Sequence, residues 1–166
     1  MKEKFVRDFF SYGGYGWAGN KPDSLQEKLR EAIPAFNRLR SEVNFDAIAF
    51  TGSSGACIAF VLAYETRIPL LYVRKAGEKS HGSRLECNLV DGSIKKYLIV
   101  DDFIDSGETI CKMVKSINRN CARKSMNSPK PVGVFLFETS CFTPERTSIG
   151  KDNWLPCWSP DSFDKT

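Results

Sequence analysis

Histidine is nearly absent from this chain: His81 is the only one among 166 residues. The six cysteines, Cys57, Cys87, Cys111, Cys121, Cys141 and Cys157, include no Cys-x-x-Cys pair. A tetrahedral zinc site therefore lacks both its usual spacing and its usual imidazole partners. Long apolar runs are missing too. No stretch approaches the ~20 residues that span a bilayer, and Met1-Lys-Glu-Lys-Phe-Val-Arg-Asp lacks the apolar segment of a signal peptide. Charge of one sign is scarce, with 24 Lys and Arg against 20 Asp and Glu, a net +4. That balance suits a small anionic ligand, and it is too weak to indicate nucleic acid.

What is present is an ordinary globular composition, 42% hydrophobic and 27% charged. At this length one real core can be buried. The chain does not look like a disulfide-stapled miniature, and Cys57 and Cys111 sit in apolar helical runs where a thiol acts as a small hydrophobe. We expect reduced thiols, a soluble cytoplasmic protein and no membrane contact. Neither repeats nor low-complexity linkers divide the sequence, so a single domain is expected over 1–166, with its core at about 24–138.

Residues 11–20, aromatic and glycine-rich, read as loop. Ser24-Leu-Gln-Glu27 has the spacing of a capping box opening a helix. Leu25, Leu29, Ile33, Phe36, Leu39 and Val43 then recur at helical steps, giving one apolar face. Pro34 inside that run should kink or split it. Ala47–Phe50 reads as a buried strand, Ala56–Glu65 as a helix, and Leu70–Arg74 as a second strand. A hairpin is expected at Asp91-Gly92. The strand Tyr97–Val100 leads to a helix from Thr109 to about Arg119. Val132–Phe137 is the last clear strand, and Cys141–Thr166 reads as irregular. Strands alternating with helices predict an α/β fold with a mainly parallel central sheet, flanked by helices and joined by right-handed crossovers. Ligands of such sheets sit beyond the carboxyl ends of the strands. The loops after Phe50, Arg74 and Val100 should converge there.

The richest of these loops lies in Tyr97-Leu-Ile-Val-Asp-Asp-Phe-Ile-Asp-Ser-Gly-Glu-Thr-Ile110. An apolar strand delivers two carboxylates, Asp101 and Asp102, placed to accept hydrogen bonds from vicinal hydroxyls. Ser106-Gly107-Glu108-Thr109 then offers hydroxyls and closely spaced N–H groups at a helix N-terminus, which is an anion site. Either half alone is also what an acidic strand end or a capped helix produces. Together, one loop apart, they describe a binder of a sugar phosphate.

Residues 98–110 resemble the phosphoribosyl-pyrophosphate motif of the type I phosphoribosyltransferases. The resemblance implies that fold, with residues 1–23 and 139–166 as candidates for a small hood. It implies that Asp101 and Asp102 hold the ribose 2′- and 3′-hydroxyls and that Asp105, Ser106, Gly107, Glu108 and Thr109 wrap the 5′-phosphate. Glu108, where a small residue is common, must turn its side chain away. Thr51-Gly-Ser-Ser-Gly55 is similar to the family's pyrophosphate cradle, which would use Ser53, Ser54 and Gly55. Arg74-Lys-Ala-Gly-Glu-Lys-Ser-His-Gly82 resembles the flexible loop of the orotate enzymes, which implies pyrophosphate contacts from Arg74, Lys75, Lys79 and His81. Read without the family, it is a solvated basic loop.

The implied reaction moves the 5-phosphoribosyl group from phosphoribosyl pyrophosphate (PRPP) to a nucleobase, releasing pyrophosphate. Mg²⁺ is expected to arrive with PRPP, with no protein metal cage. Asp105, Lys79 and His81 are the catalytic candidates, and a homodimer is implied, with Lys79 able to act in either subunit. Asp105 and the tail Lys151–Trp158 resemble 6-oxopurine enzymes, with Trp154 as a base-stacking ring, whereas the basic loop resembles orotate enzymes. The 6-oxopurine is slightly favoured; orotate transfer and a non-catalytic PRPP-sensing regulator are the alternatives.

Overall fold

Strands in which every residue is apolar leave no wet face, so they demand cover on both sides. The computed structural model, which describes residues 22–75, 85–86, 93–138, 144–150 and 153–163, supplies that cover with three helices. The elements run α1 (Pro22–Glu42), β1 (Ala47–Phe50), α2 (Gly52–Thr66), β2 (Leu70–Val73), β3 (Leu85–Glu86), β4 (Lys96–Asp101), α3 (Glu108–Arg123), β5 (Lys130–Leu136), β6 (Arg146–Gly150) and β7 (Asn153–Trp158). A 3₁₀ turn, Pro160–Phe163, follows. The strand order is β3-β2-β1-β4-β5-β7-β6. Its interior pairings are parallel and its two outermost are antiparallel.

Alternation along each strand splits the core in two. Ala47, Ala49, Tyr97, Ile99, Val134 and Leu136 face α3, which contributes Ile110, Met113, Val114, Ile117 and Cys121. Ile48, Phe50, Leu98, Val100 and Phe135 face the other way, under Phe36 and Leu39 of α1 and Ile58 and Leu62 of α2. Phe36 meets Phe45 and Phe135 edge-on, at centroid distances of 5.7 and 5.6 Å. Each such contact contributes about 1 kcal/mol beyond burial.

The chain reverses direction across the sheet between β1 and β4. From β1 the crossover through α2 leads outward to β2, while from β4 the crossover through α3 leads outward to β5. The carboxyl ends of β1 and β4 thus flank a crevice that no crossover fills, where ligands bind in such sheets.

Several local expectations are corrected. α1 begins at Pro22, so Ser24 lies within its first turn and is not its N-cap; proline suits that first turn, where its missing N–H costs nothing. Pro34 does not split α1, which runs unbroken to Glu42. It is exposed, so water can serve the carbonyl it leaves unbonded. α2 starts at Gly52, four residues before Ala56. Glycine and serine propensity reads as loop there, and packing overrides it. α3 extends to Arg123. The tail is not irregular: β6 and β7 form an antiparallel pair, and β7 joins β5 in parallel through Val134↔Cys157 and Phe135↔Trp158. The turn at Asp91-Gly92, the loop 11–20, Lys79 and His81 lie outside the described residues.

That join depends on Gly133. A Cβ there would lie 2.1 Å from Trp158 Cζ3 and 2.9 Å from the Pro156 carbonyl, so the indole rests directly on the glycine. Gly133→Ala must displace the ring or the strand, and we predict a loss of about 1–3 kcal/mol in urea unfolding, the usual cost of overpacking. An unchanged midpoint would mean that the indole does not lie there.

Candidate active site

β4 places Asp101 as its last residue, buried to 6% exposure. The Asp102 N–H donates to Asp101 Oδ1 at 3.1 Å. Burial pushes the Asp101 carboxyl up to about 8, helped by the charge of Asp102 and a hydrogen bond with its side chain. The Asp102 N–H and the Lys75 ammonium pull the other way and only partly compensate. The backbone around the pair is zipped to the end of β5, with Phe137 N–H donating to the Asp101 carbonyl (3.2 Å) and Glu138 N–H to the Asp102 carbonyl (3.1 Å).

After the pair, Ile104 packs against the core on the α3 side, while Phe103 stays 41% exposed. The chain then enters α3 through Gly107, at φ +73°. Left-handed backbone favours glycine, and space requires it as well: a Cβ would sit 2.6 Å from Thr147 Oγ1 of β6. Ser106 Oγ accepts the Glu108 N–H at 3.3 Å. The Glu108 side chain pairs outward with Lys112 at 2.8 Å, which holds its carboxyl below the ordinary value. Only its backbone is left to meet an anion.

The other wall is the start of α2. Thr51 occupies the N-cap position, but its hydroxyl donates to the Val73 carbonyl at 2.6 Å and does not cap the helix. This bond ties the ends of β1 and β2 together. Gly55 lets α2 approach β4, since a Cβ there would be 3.1 Å from the Val100 carbonyl and 3.8 Å from Asp101 Oδ1. Lys75 lies across Gly52, whose added Cβ would meet Nζ at 2.8 Å. A cation held at the positive end of a helix is unfavourable alone, and an anion placed between them turns both interactions favourable.

These groups enclose a cleft of about 220 Å³ lined by Thr51, Ser54, Lys75, Asp101, Asp102, Phe103, Ile104, Asp105, Ser106, Gly107, Thr109 and Ile110. Most residues expected from sequence are therefore brought together. Ser53, Gly55 and Glu108 flank the cleft without lining it. Arg74 instead lies over the Tyr72 ring, 5.3 Å from its centroid. Trp154 is 60% exposed on β7 and is not part of the cleft wall. Phe103 and Thr51 join the cleft wall beyond the residues expected from sequence. The strand-end position of each was the available signal. Thr147 had none, because its contact with Gly107 joins residues forty positions apart.

Among the described residues, no group of three or more His, Cys, Asp or Glu could hold a metal ion. Cys57, Cys111, Cys121 and Cys157 are unpaired thiols, and burial pushes Cys57 up and Cys157 to about 11. Neither offers a thiolate at neutral pH. No helix among these residues is long and apolar enough to cross a membrane.

The sheet order and crevice are those of the type I phosphoribosyltransferase fold. An adenine phosphoribosyltransferase of known structure superposes with a TM-score of 0.56 at 15% identity, over 84% of this chain and 81% of that one. In sequence the chain is similar to the orotate phosphoribosyltransferase of Coxiella burnetii, 35% identical over 91 residues, covering 52% of this chain and 42% of that enzyme. It is also similar to the transcriptional regulator GfcR of Methanocaldococcus jannaschii, 24% identical over 130 residues, covering 75% of this chain and 59% of that regulator. The chain thus spans between two fifths and three fifths of the length of these relatives. No protein-family model matches it.

The raised Asp101 carboxyl has a consequence for stability. An unfolded aspartate titrates near ~3.9, so between that value and about 8 the folded chain holds a proton that the unfolded chain has lost. Stability then falls as pH rises through this window. Asp101→Asn removes the penalty: its Tm relative to the unaltered protein should climb from about pH 4 to about pH 8. A Tm difference that stays flat across that range refutes the burial effect.

Proposed function

We propose that this chain is a PRPP-dependent phosphoribosyltransferase that forms a nucleoside monophosphate from a nucleobase. The observation that carries the reading is the joint placement of the Asp101–Asp102 pair and the Ser106–Thr109 helix start on one cleft. One grips a vicinal diol and the other a phosphate, at the spacing of a single loop. Asp101 and Asp102 hold the ribose hydroxyls. Asp105, Ser106, Gly107, Glu108 through its backbone, and Thr109 hold the 5′-phosphate. Ser54 and Lys75, beside Ser53 and Gly55, hold pyrophosphate at the start of α2. Lys79 and His81 of the basic loop complete that subsite, and Arg74 joins them by leaving the Tyr72 ring.

In the reaction the C1′–O bond to pyrophosphate breaks, the leaving oxygen keeps the electron pair, and a ring nitrogen of the base forms the new C1′–N bond. Positive charge develops on the ribose ring and negative charge on pyrophosphate. Catalysis is then positioning and electrostatics: the carboxylate pair fixes the ring, Lys75 and Lys79 neutralise the leaving group, and Asp105 exchanges a proton with the base. The residues present fit Mg²⁺ carried by the substrate, since the Asp101–Asp102 pair presents hard oxygen donors beside the pyrophosphate subsite, and Mg²⁺ is commonly held by one or two carboxylates plus phosphate oxygens. When bound, it would neutralise the leaving pyrophosphate. Phe103, exposed on the cleft wall, offers the base a ring face that Trp154, away from the wall, does not.

Asp105 on the cleft wall supports a purine acceptor, whose N7 can take or give a proton, and so the 6-oxopurine. Similarity to orotate enzymes supports orotate. Similarity to a transcriptional regulator favours a second reading, a sensor that binds PRPP without turnover. The assay that separates them is pyrophosphate release from PRPP with Mg²⁺ and a panel of orotate, hypoxanthine, guanine, xanthine and adenine. We expect release with one acceptor class, and a fall of about 10²-fold in kcat for Asp101→Asn/Asp102→Asn, as for misplacement of the reacting ring. Binding of PRPP with no release for any base establishes the sensor; no binding at all rejects both.

A homodimer is also proposed. From Gly52 to Tyr64, α2 carries no charged residue, yet Phe60 is 60% and Tyr64 84% exposed. An apolar helix face of this kind is normally covered. We expect a dimer in sedimentation and a monomer for Tyr64→Asp; a monomeric unaltered protein removes the proposal.

A further inference from the structure

A largely buried ion pair stands next to the acidic pair, and the reaction above does not use it. Glu138 follows β5 at the ligand edge of the sheet, and its carboxylate pairs with Lys28 Nζ of α1, the two side chains being 11% and 12% exposed. The same Glu138 donates its N–H to the Asp102 carbonyl at 3.1 Å, beside the Phe137 N–H bound to the Asp101 carbonyl at 3.2 Å. One residue is thus fastened to the diol-gripping loop through its backbone and to α1 through its side chain.

Stability is a poor explanation for such a pair. Two buried charges lose their hydration, and apolar residues of similar volume often serve as well or better. What an ion pair adds is a defined meeting point. α1 is a fixed post, since Ala32, Phe36 and Leu39 seat it in the core a turn or more beyond Lys28. Phe137 is fully buried in the same cluster, so the chain between β5 and Glu138 is anchored at both ends. The parallel register Asp101↔Leu136 carries that anchoring directly to the carboxylates.

We propose that Lys28 and Glu138 form a positioning pair, which fixes the backbone of Asp101 and Asp102 and thereby the aim of both carboxylates. The ligand in this proposal rests on the phosphoribosyltransferase reading; the geometry does not. The pair works through placement, because the ionised groups that act on the Asp101 carboxyl are Asp102 and Lys75.

The test uses the full chain with Lys28→Met/Glu138→Leu, which removes both charges and keeps apolar volume, alongside Lys28→Arg, which keeps the charge. PRPP affinity with Mg²⁺ is measured by calorimetry, and amide exchange is followed at Phe137 and Glu138. The expected result is a double variant with near-unaltered Tm, affinity lowered about tenfold or more as for small misplacements of reacting groups, and faster exchange at both amides. Lys28→Arg should retain affinity. Unaltered affinity and exchange in the folded double variant overturn the proposal while leaving the sugar-phosphate reading intact. If the unaltered protein does not bind PRPP, that reading fails, and exchange alone decides: faster exchange upholds the positioning role and equal exchange ends it. Should the double variant not fold, Glu138→Gln against Lys28→Arg gives the same comparison.

Discussion

Two neighbouring carboxylates at the end of a buried strand, one of them almost without solvent, are the constraint around which this structure is arranged. Burial raises the Asp101 carboxyl, and the Asp102 N–H and the nearby Lys75 charge offset that only in part. A site that holds two acids so close, with so little compensation, is poised for a ligand that brings hydroxyl donors or positive charge. Perturbed acids in clefts mark functional sites more often than chance. Here α2 comes close to the buried acid through Gly55, where a Cβ would lie 3.8 Å from Asp101 Oδ1.

The electrostatics of the cleft are layered along its length. Acid lies at the centre, and the positive ends of two helices lie to either side. Thr51 spends its hydroxyl on Val73, and Gly107 has no side chain to cap α3. Neither helix start is satisfied by a side chain of its N-cap residue, and both face the same cleft. Lys75 adds a cation on the α2 side only. The two helix starts are therefore unequal, with the stronger positive field at the start of α2.

Reading the sequence reached most of this cleft because its parts are local. Strand, acidic pair, serine–glycine turn and helix lie within residues 97–113, and their order alone dictates their juxtaposition. The unbroken apolar runs Ala47–Phe50 and Tyr97–Val100 likewise marked buried strands. Reading failed where contacts are long-range. Pro156 and the short, polar β6 argue against strands, yet they form because Gly133 accepts the Trp158 indole and completes the pairing with β5. Gly52-Ser-Ser-Gly55 looks like a loop in composition, and packing of α2 against β1 and β4 makes it a helix. Trp154 has the ring and the sequence neighbours of a stacking residue, and strand alternation turns it away from the core side that Leu155 and Cys157 enter.

The tail matters to the site through one contact. Gly107 is the only residue type that fits both its φ and the Thr147 hydroxyl behind it, and Thr147 is placed by its pairing with Leu155. Leu155 in turn packs into the core under α3. A hairpin from the last quarter of the chain thus backs the Ser106–Thr109 turn, and α3 is held at its start by Thr147 and further along by the Cys111 thiol on the Ile149 carbonyl at 3.4 Å. Two strands that sequence periodicity does not reveal set the angle at which the start of α3 enters the cleft. The acidic pair is backed in the same manner from the other direction, by the end of β5. Local sequence supplies the chemical groups, and the non-local pairings of β5, β6 and β7 aim them.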